Sequence, residues 1–467
     1  MQDKASDYYE NGEMASSVSK YEAMKKKGIS GYFDVEEIEN VVNYYINNHQ
    51  INRAQEACDS GLSMHPGSSE LKLKNAQLNV GQGKPTEALR WLRSANELQN
   101  SNYEYLLTYG MSMILLGKFK EADKSFKKAI NLCAEDERED ALLNIGEAIE
   151  NSGNYSVTIK YYKSGAAKFP KNEEFLFRLG FCYDKEQEFE KSIFYYEKYL
   201  DKNPFSENVW YNVGIIYNKL ENYKKAIEAY DYAIALDSGH FDAVFNKANA
   251  LANDEKFEEA INVYQEYISN YDNSLTAKYY IGECYLQLKD IDKALQYFDK
   301  IIDEKPDFSE AYYGKAMVYE EQKDFDKAIE CYIKAIELDD LNSDAWFSLG
   351  NNYIRLEQTE KAVDAFKNAV LSNKYDTEAW IAGAEVYHKK GELEKAIELI
   401  NTALESLPEN FELLFTLAAY KLKAGKMIDG IETFKKAYDM NADNFSIVLD
   451  IFPEAEKIEE IVNIINK

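Results

Sequence analysis

The residues able to make or break bonds are few in this 467-residue chain, and their spacing is wrong for it. The four histidines, His49, His65, His240 and His388, lie far apart, and none shares a helix face with a second His or Cys at metal-ligand spacing. The five cysteines, 58, 133, 182, 284 and 331, are scattered and odd in number, as in reduced proteins without disulfides. No GxSxG elbow and no GxxxxGK[ST] phosphate loop occurs; Gly83-Lys84-Pro85 and Gly425-Lys426-Met427 read as turns. Acidic side chains number 82, too many for any carboxylate pair to stand out as an acid and base couple. What does recur is aromatic: Phe177, Tyr211, Phe245, Tyr279, Tyr313 and Phe347 fall 34 residues apart. Rings so placed offer large contact area at little rotamer cost, which is the chemistry of binding. No catalytic residue and no cofactor is expected.

Elements with the same period must carry these rings. In the stretch from Ala345 to Tyr353, the residues Trp346, Leu349, Gly350 and Tyr353 share one face of a helix. Ala362, Phe366 and Ala369 mark a second helix, after a polar turn in which Thr359 is placed to cap it. Aligned on the small residue of the second helix, twelve 34-residue units run from 35 to 444, with the insert Glu137-Arg138 between the third and fourth. Position 8 is always small or short, as in Gly110, Gly146, Gly180, Gly214, Gly282 and Gly350, and position 20 is nearly always Ala. Small residues let two antiparallel helices approach, so the repeated glycine implies a packing need that outweighs its poor helix propensity. Five of the seven prolines fall at position 32, where a helix must stop before the next unit. Pro85 is placed between two helices of one unit, and Pro453 forbids a thirteenth full unit.

Three segments follow: a degenerate helical cap over 1–34, read as a pair of short helices with Tyr21 and Met24 turned to the first unit; the units over 35–444; and a capping helix over 445–467, set at Glu454 to Asn466. Tyr199, Tyr267 and Ile301 replace the small residue usual at position 27, so local curvature is expected to differ there.

The spacing W-x2-L-G-x2-Y, then A-x3-F, A and P, resembles the tetratricopeptide repeat family over nearly nine-tenths of the chain, in its long, bacterial-type, many-repeat form. The resemblance implies an all-α, right-handed superhelix of helical hairpins and a scaffold that binds a protein or peptide along its concave face. That face would be lined by positions 2, 5, 6, 9, 12 and 13 of the first helices. It would include the aromatic ladder and the polar Arg178, Asn212, Asn246, Asn249 and Asn351. Of the histidines, only His388 would face it. Position 2 is acidic in ten units, which also complements the helix dipole. The lysine and asparagine clamp by which some members hold the terminal carboxylate of a chaperone tail has no counterpart, since no unit has Lys at position 5 or 2.

Charge and hydropathy limit the partners. A net charge of −28 repels a phosphate backbone, and no basic run exceeds Lys25-Lys26-Lys27, so nucleic acid is not expected. No stretch is apolar enough to span a membrane, and the polar Met1 to Glu10 carries no signal core, which points to the cytoplasm. A regulatory or sensory subunit of an enzyme complex stays open as an alternative reading, and an RNA-binding helical repeat as a more distant one.

Overall fold

The computed structural model describes residues 3–27, 31–98, 101–270 and 273–466. Among them every regular element is helical, and the helices fall into two compact units, residues 1–236 and 237–467.

The first unit opens with one long helix, α1 (Asp3–Lys27). Six hairpins follow: α2 (Val35–Asn47) with α3 (Ile51–Met64), α4 (Ser69–Gly81) with α5 (Pro85–Ser94), and α6 (Tyr103–Leu115) with α7 (Phe119–Leu132). Then come α8 (Arg138–Glu150) with α9 (Tyr155–Lys168), α10 (Glu174–Lys185) with α11 (Phe189–Leu200), and α12 (Glu207–Lys219) with α13 (Tyr223–Leu236). The second unit holds α14 (Phe241–Asn253) with α15 (Phe257–Asn270), α16 (Leu275–Gln287) with α17 (Ile291–Glu304), and α18 (Ser309–Glu321) with α19 (Phe325–Leu338). It continues with α20 (Ser343–Arg355) and α21 (Thr359–Ser372), α22 (Thr377–Lys389) and α23 (Leu393–Ser406), and α24 (Phe411–Lys423) and α25 (Met427–Met440). Two short helices, α26 (Ser446–Ile451) and α27 (Glu459–Ile465), close the chain.

Each hairpin is closed by the same physics. Position 8 of the first helix meets position 24 of the second, and position 24 is a fully buried ring in most units, such as Tyr162, Tyr230, Phe298 and Phe366. A Cβ placed on Gly214 would lie 2.5 Å from Tyr230 Cε1, and one on Gly350 2.8 Å from Phe366 Cε1. Only glycine admits the ring at that distance. The hairpin turn is equally regular. Position 15 takes positive φ in all twelve hairpins, five times as Gly and seven times as His49, Gln187, Glu221, Glu255, Lys289, Lys323 or Glu357. In eleven of the twelve the amide after it donates back five residues, as Asp324 N does to Tyr319 O at 2.9 Å, closing a Schellman turn.

Neighbouring hairpins are latched by the aromatic at position 4. Trp210 Nε1 donates to Pro204 O at 2.9 Å, Trp346 Nε1 to Asp340 O at 3.0 Å, Trp380 Nε1 to Lys374 O at 3.0 Å and Tyr312 Oη to Pro306 O at 3.2 Å. The acceptor is always the carbonyl at position 32 of the preceding repeat, so the ring that fills the hairpin also fixes the link before it.

Four local expectations need correction. In place of a pair, one helix runs from Asp3 to Lys27, straight through Asn11-Gly12, which does not act as a turn; Tyr21 is buried against Phe33 and Tyr45, and Met24 packs beside them. Thr359 is the first residue of α21, not its cap: its hydroxyl reaches Glu357 O at 3.4 Å and leaves the helix amides alone. Pro85 likewise starts α5, where its missing amide hydrogen costs nothing. The C-terminal segment breaks at Pro453 into α26, a 3₁₀ turn at Pro453–Lys457 and α27; Val448, Ala455 and Ile461 bury against Phe434 and its neighbours.

Candidate functional site

The recurring rings at position 5 sit on the first helix of each hairpin, and the two units are described separately. In the first unit Phe177 lies 6.0 Å from Tyr196 and 5.9 Å from Tyr199, and Tyr211 lies 6.0 Å from Tyr230. Asn212 Nδ2 reaches Tyr196 Oη at 3.4 Å. Arg178 is engaged twice, by Glu174 at 2.7 Å and by Glu150 of the preceding hairpin at 3.2 Å. Burial works against its charge, yet the two carboxylates hold the guanidinium above its ordinary range.

The second unit carries the denser constellation. Phe245 is surrounded by Tyr264 at 5.7 Å, Tyr267 at 5.2 Å and Tyr280 at 6.0 Å, and Tyr264 and Tyr280 are stacked. Tyr264 donates to Asn249 Oδ1, and Asn249 Nδ2 reaches Asn246 Oδ1 at 3.4 Å. Tyr279 packs on Phe298, Tyr313 on Tyr332 and Phe347 on Phe366, each at 5.6 to 5.7 Å. Each of these six rings is half-buried and rests on the position-24 ring of its own hairpin, whereas Phe415, at position 5 of α24, is fully buried. Asn351 is also half-buried, next to Gly350. In the second unit α16 packs on α18, and the Phe245 and Tyr280 rings join α14 to α16, so the first helices that carry Phe245, Tyr279 and Tyr313 form a common wall.

Two residues that sequence reasoning passed over belong to this wall. Glu283, at position 9 of α16, accepts a hydrogen bond from Tyr279 Oη at 2.7 Å. Burial pushes its carboxyl above the ordinary carboxylate range, opposed only by that hydrogen bond. Tyr280, at position 6, is raised by burial and then by Glu283 and Glu310. Tyr313 is raised by burial, eased by a hydrogen bond with Ser348, and raised again by Asp344, Glu283 and Glu320. The signal was present: reading positions 6 and 9 down the repeats shows Tyr280 and Glu283 where other units have Asn.

Three of the histidines serve packing or local hydrogen bonds, while His49 is exposed in a hairpin turn, and three of the cysteines are buried. His388 lies 5.1 Å from the Tyr420 ring, its pKa lowered by burial and then by Lys423. His65 Nε2 meets Phe33 O at 2.7 Å, and His240 caps α14. Burial pushes the Cys284 thiol up to about 12, so it is a poor nucleophile. Among the described residues no group of three His, Cys, Asp or Glu is arranged for a metal, and no helix is long and apolar enough to cross a membrane.

Comparison with solved structures relates the fold to yeast Tom70 (18% identity, 91% of this chain and 95% of that chain, TM-score 0.47). It also relates it to the Cut9 and Hcn1 hetero-tetramer of APC/C (15%, 88% and 94%, 0.38) and to a tetratricopeptide repeat protein from Parabacteroides merdae (20%, 51% and 93%, 0.37). Comparison with curated proteins gives no match. Models described as tetratricopeptide repeat match residues 103–136, 174–206, 207–240, 245–308, 309–340 and 347–411, together more than half of the chain. With the helical hairpins, the position 8 and 24 packing and these matches, the chain belongs to the tetratricopeptide repeat family.

Proposed function

We propose that this protein is a non-enzymatic interaction scaffold whose first helices receive a segment of a partner protein. The observation that carries the reading is the set of half-buried aromatic rings on first helices, Phe177 and Tyr211 in the first unit and Phe245, Tyr279, Tyr313 and Phe347 in the second. Rings held on one side by a buried neighbour are preorganised, so a partner that covers the other side gains area without paying to order them. Arg178, Asn212, Asn246, Asn249 and Asn351 lie on the same helices and would bond a partner's backbone. Residues 1–34 and 445–467 act as end caps on the repeat array of 35–444, since a bare terminal hairpin would expose its apolar face. The net charge of −28 supports a protein partner over nucleic acid, and the free, mostly buried cysteines support a reducing compartment such as the cytoplasm.

The test is capture from native lysate by wild type and by a Tyr211/Tyr279/Phe347→Ala variant with unchanged far-ultraviolet circular dichroism. Loss of wild-type partners supports the reading. Their full retention by the folded variant refutes it.

A further inference from the structure

We infer that the groove between α7 and α9 docks an acidic segment of a partner protein, with carboxylates on Lys160 and Lys168 and an apolar side chain seated between them.

This surface is separate from the first-helix face, and a break in the repeat marks it. The insert Glu137-Arg138 lengthens the link from α7 to α8, and within the first unit α8 packs on the second helix before it less than any other first helix does. A cavity of about 470 Å³ lies between α7 and α9 at this junction. Its floor is the buried Leu142 and Tyr161 with the half-buried Ile130, and its rim carries Lys127, Lys160 and Lys168. Asp123, the carboxylate that lines it, is already answered by Lys127 at 2.6 Å and by Tyr161 Oη at 3.1 Å. Lys160 and Lys168 are exposed, and their ammonium groups have no ion pair or hydrogen bond among the described residues. Lys168 also complements the carbonyl end of α9, but Lys160 sits in mid-helix and has no such role.

The charge around the groove is unusual for this chain. Of the second helices only α5, α7 and α9 carry more basic than acidic residues, and α7 and α9 together hold seven basic against two acidic in a chain of net charge −28. Two unanswered cations beside an apolar floor complement carboxylates that flank an aliphatic or aromatic side chain. A long phosphate backbone fits less well. The basic stretch is short, and the acidic run Glu135-Asp136-Glu137 begins three residues past α7, so charge that extends beyond the groove is repelled. A bilayer surface is flat and does not follow the groove down to Leu142.

The probe is a nine-residue peptide, one Leu between two runs of three Glu with Gly at each end, titrated calorimetrically into the full-length protein at physiological salt. Two companion peptides replace Leu by Ser or every Glu by Gln. The first variant joins Lys160→Gln to Lys168→Gln. The second, Ser164→Phe, fills the groove and leaves its charges in place. The third joins Lys224→Gln to Lys225→Gln, a matched loss of two exposed charges on α13. We expect the Leu peptide to bind about tenfold more weakly to the first variant, several-fold more weakly to Ser164→Phe, and within twofold of wild type to the third. The Ser peptide should bind wild type several-fold more weakly than the Leu peptide, and the Gln peptide should show no saturable binding. Equal losses in the two lysine pairs, or no saturable binding of the Leu peptide to wild type, overturn the inference. Equal binding of the Leu and Ser peptides, or an unchanged Ser164→Phe, overturns the apolar seat. A twelve-nucleotide oligothymidylate or phosphatidylserine vesicles that bind as tightly as the Leu peptide, and weaken equally in the first variant, overturn the choice of a protein segment.

Discussion

The ring of Tyr162 lies so close to Gly146 that a Cβ on the glycine would sit 2.1 Å from Cε1. The same construction at Gly350 gives 2.8 Å to Phe366. Both glycines are in mid-helix, where alanine would gain about 1 kcal/mol in propensity. Overpacking opposes that gain, by roughly 1–3 kcal/mol. Gly146→Ala should therefore be clearly destabilising, and Gly350→Ala less so; Gly350→Leu should lose the full penalty. Urea denaturation of the three variants measures the order, and a Gly146→Ala variant as stable as wild type would refute the packing account.

The hairpin turns allow a test of opposite sign. Gly391 has φ of +77° and Lys323 has φ of +61°, at the same position of their repeats. A side chain in this region costs about 1–2 kcal/mol, against an entropic gain of roughly 0.5–1 kcal/mol from restricting the unfolded chain. Gly391→Ala should lose about 1 kcal/mol, while Lys323→Gly should be neutral or gain up to about 1 kcal/mol. Melting temperatures of the pair, measured together, check whether the turn geometry governs both.

Two tryptophans separate packing from latching. Trp380 Nε1 donates to Lys374 O, which has no second donor among the described residues, whereas Asp340 O receives both Trp346 Nε1 and Ser372 Oγ, at 3.0 and 3.2 Å. Replacing either tryptophan by phenylalanine keeps most of the ring and removes the donor. Trp380→Phe should cost about 1–2 kcal/mol and Trp346→Phe about half of that, because Ser372 still serves the carbonyl. Denaturant midpoints of the two single variants decide it.

How far the fold could be read follows from what repeats. The 34-residue period recurs as helix starts at Val35, Ser69, Tyr103, Glu207, Phe241 and onward, because one short-range rule, small at position 8 and large at position 24, is met in every unit but 35–68, where Val42 and Cys58 reverse it. The ends have no copy to be compared with, so α1 and the break at Pro453 were legible only as departures. Contacts between hairpins were hidden for another reason. Glu150 and Arg178 meet across 28 residues, and nothing local in either segment announces the other. The ladder itself was legible, but which side of each ring is covered depends on Tyr264, Phe298 and Phe366, one helix away.

Glu283 predicts a pH effect with a definite sign. Its carboxyl is raised above the ordinary range by burial, whereas in the unfolded chain it titrates normally. Above the raised value the folded state carries an ionised, poorly solvated group, and stability is lower. As pH falls through the raised value toward the ordinary carboxylate range, the folded state binds the proton first and recovers that loss. Glu283→Gln should therefore stabilise the free protein at neutral pH, with the gain shrinking as pH is lowered across that window. A gain independent of pH would show that the substitution acts through packing and not through charge.

Arg178 and Glu150 join two hairpins of the first unit, and their value lies in what is left when one is removed. The Glu150 side chain is only 10% exposed and takes hydrogen bonds from Arg178 at 3.2 Å and Tyr162 at 2.9 Å. Glu174 holds the other edge of the guanidinium at 2.7 Å but its side chain is 44% exposed, so it gains less from the pairing. Arg178→Met keeps the aliphatic volume and leaves Glu150 buried with only the neutral donors Tyr162 Oη and, at 3.9 Å, Cys182 Sγ among the described residues, which should cost roughly 2–3 kcal/mol. Adding Glu150→Gln removes the stranded charge, and the double variant should recover at least about 1 kcal/mol of that loss. Hydrogen exchange would place the weakening in α8 to α11. If the double variant were as unstable as Arg178→Met alone, the loss would come from the guanidinium's own packing and hydrogen bonds and not from a stranded Glu150 charge.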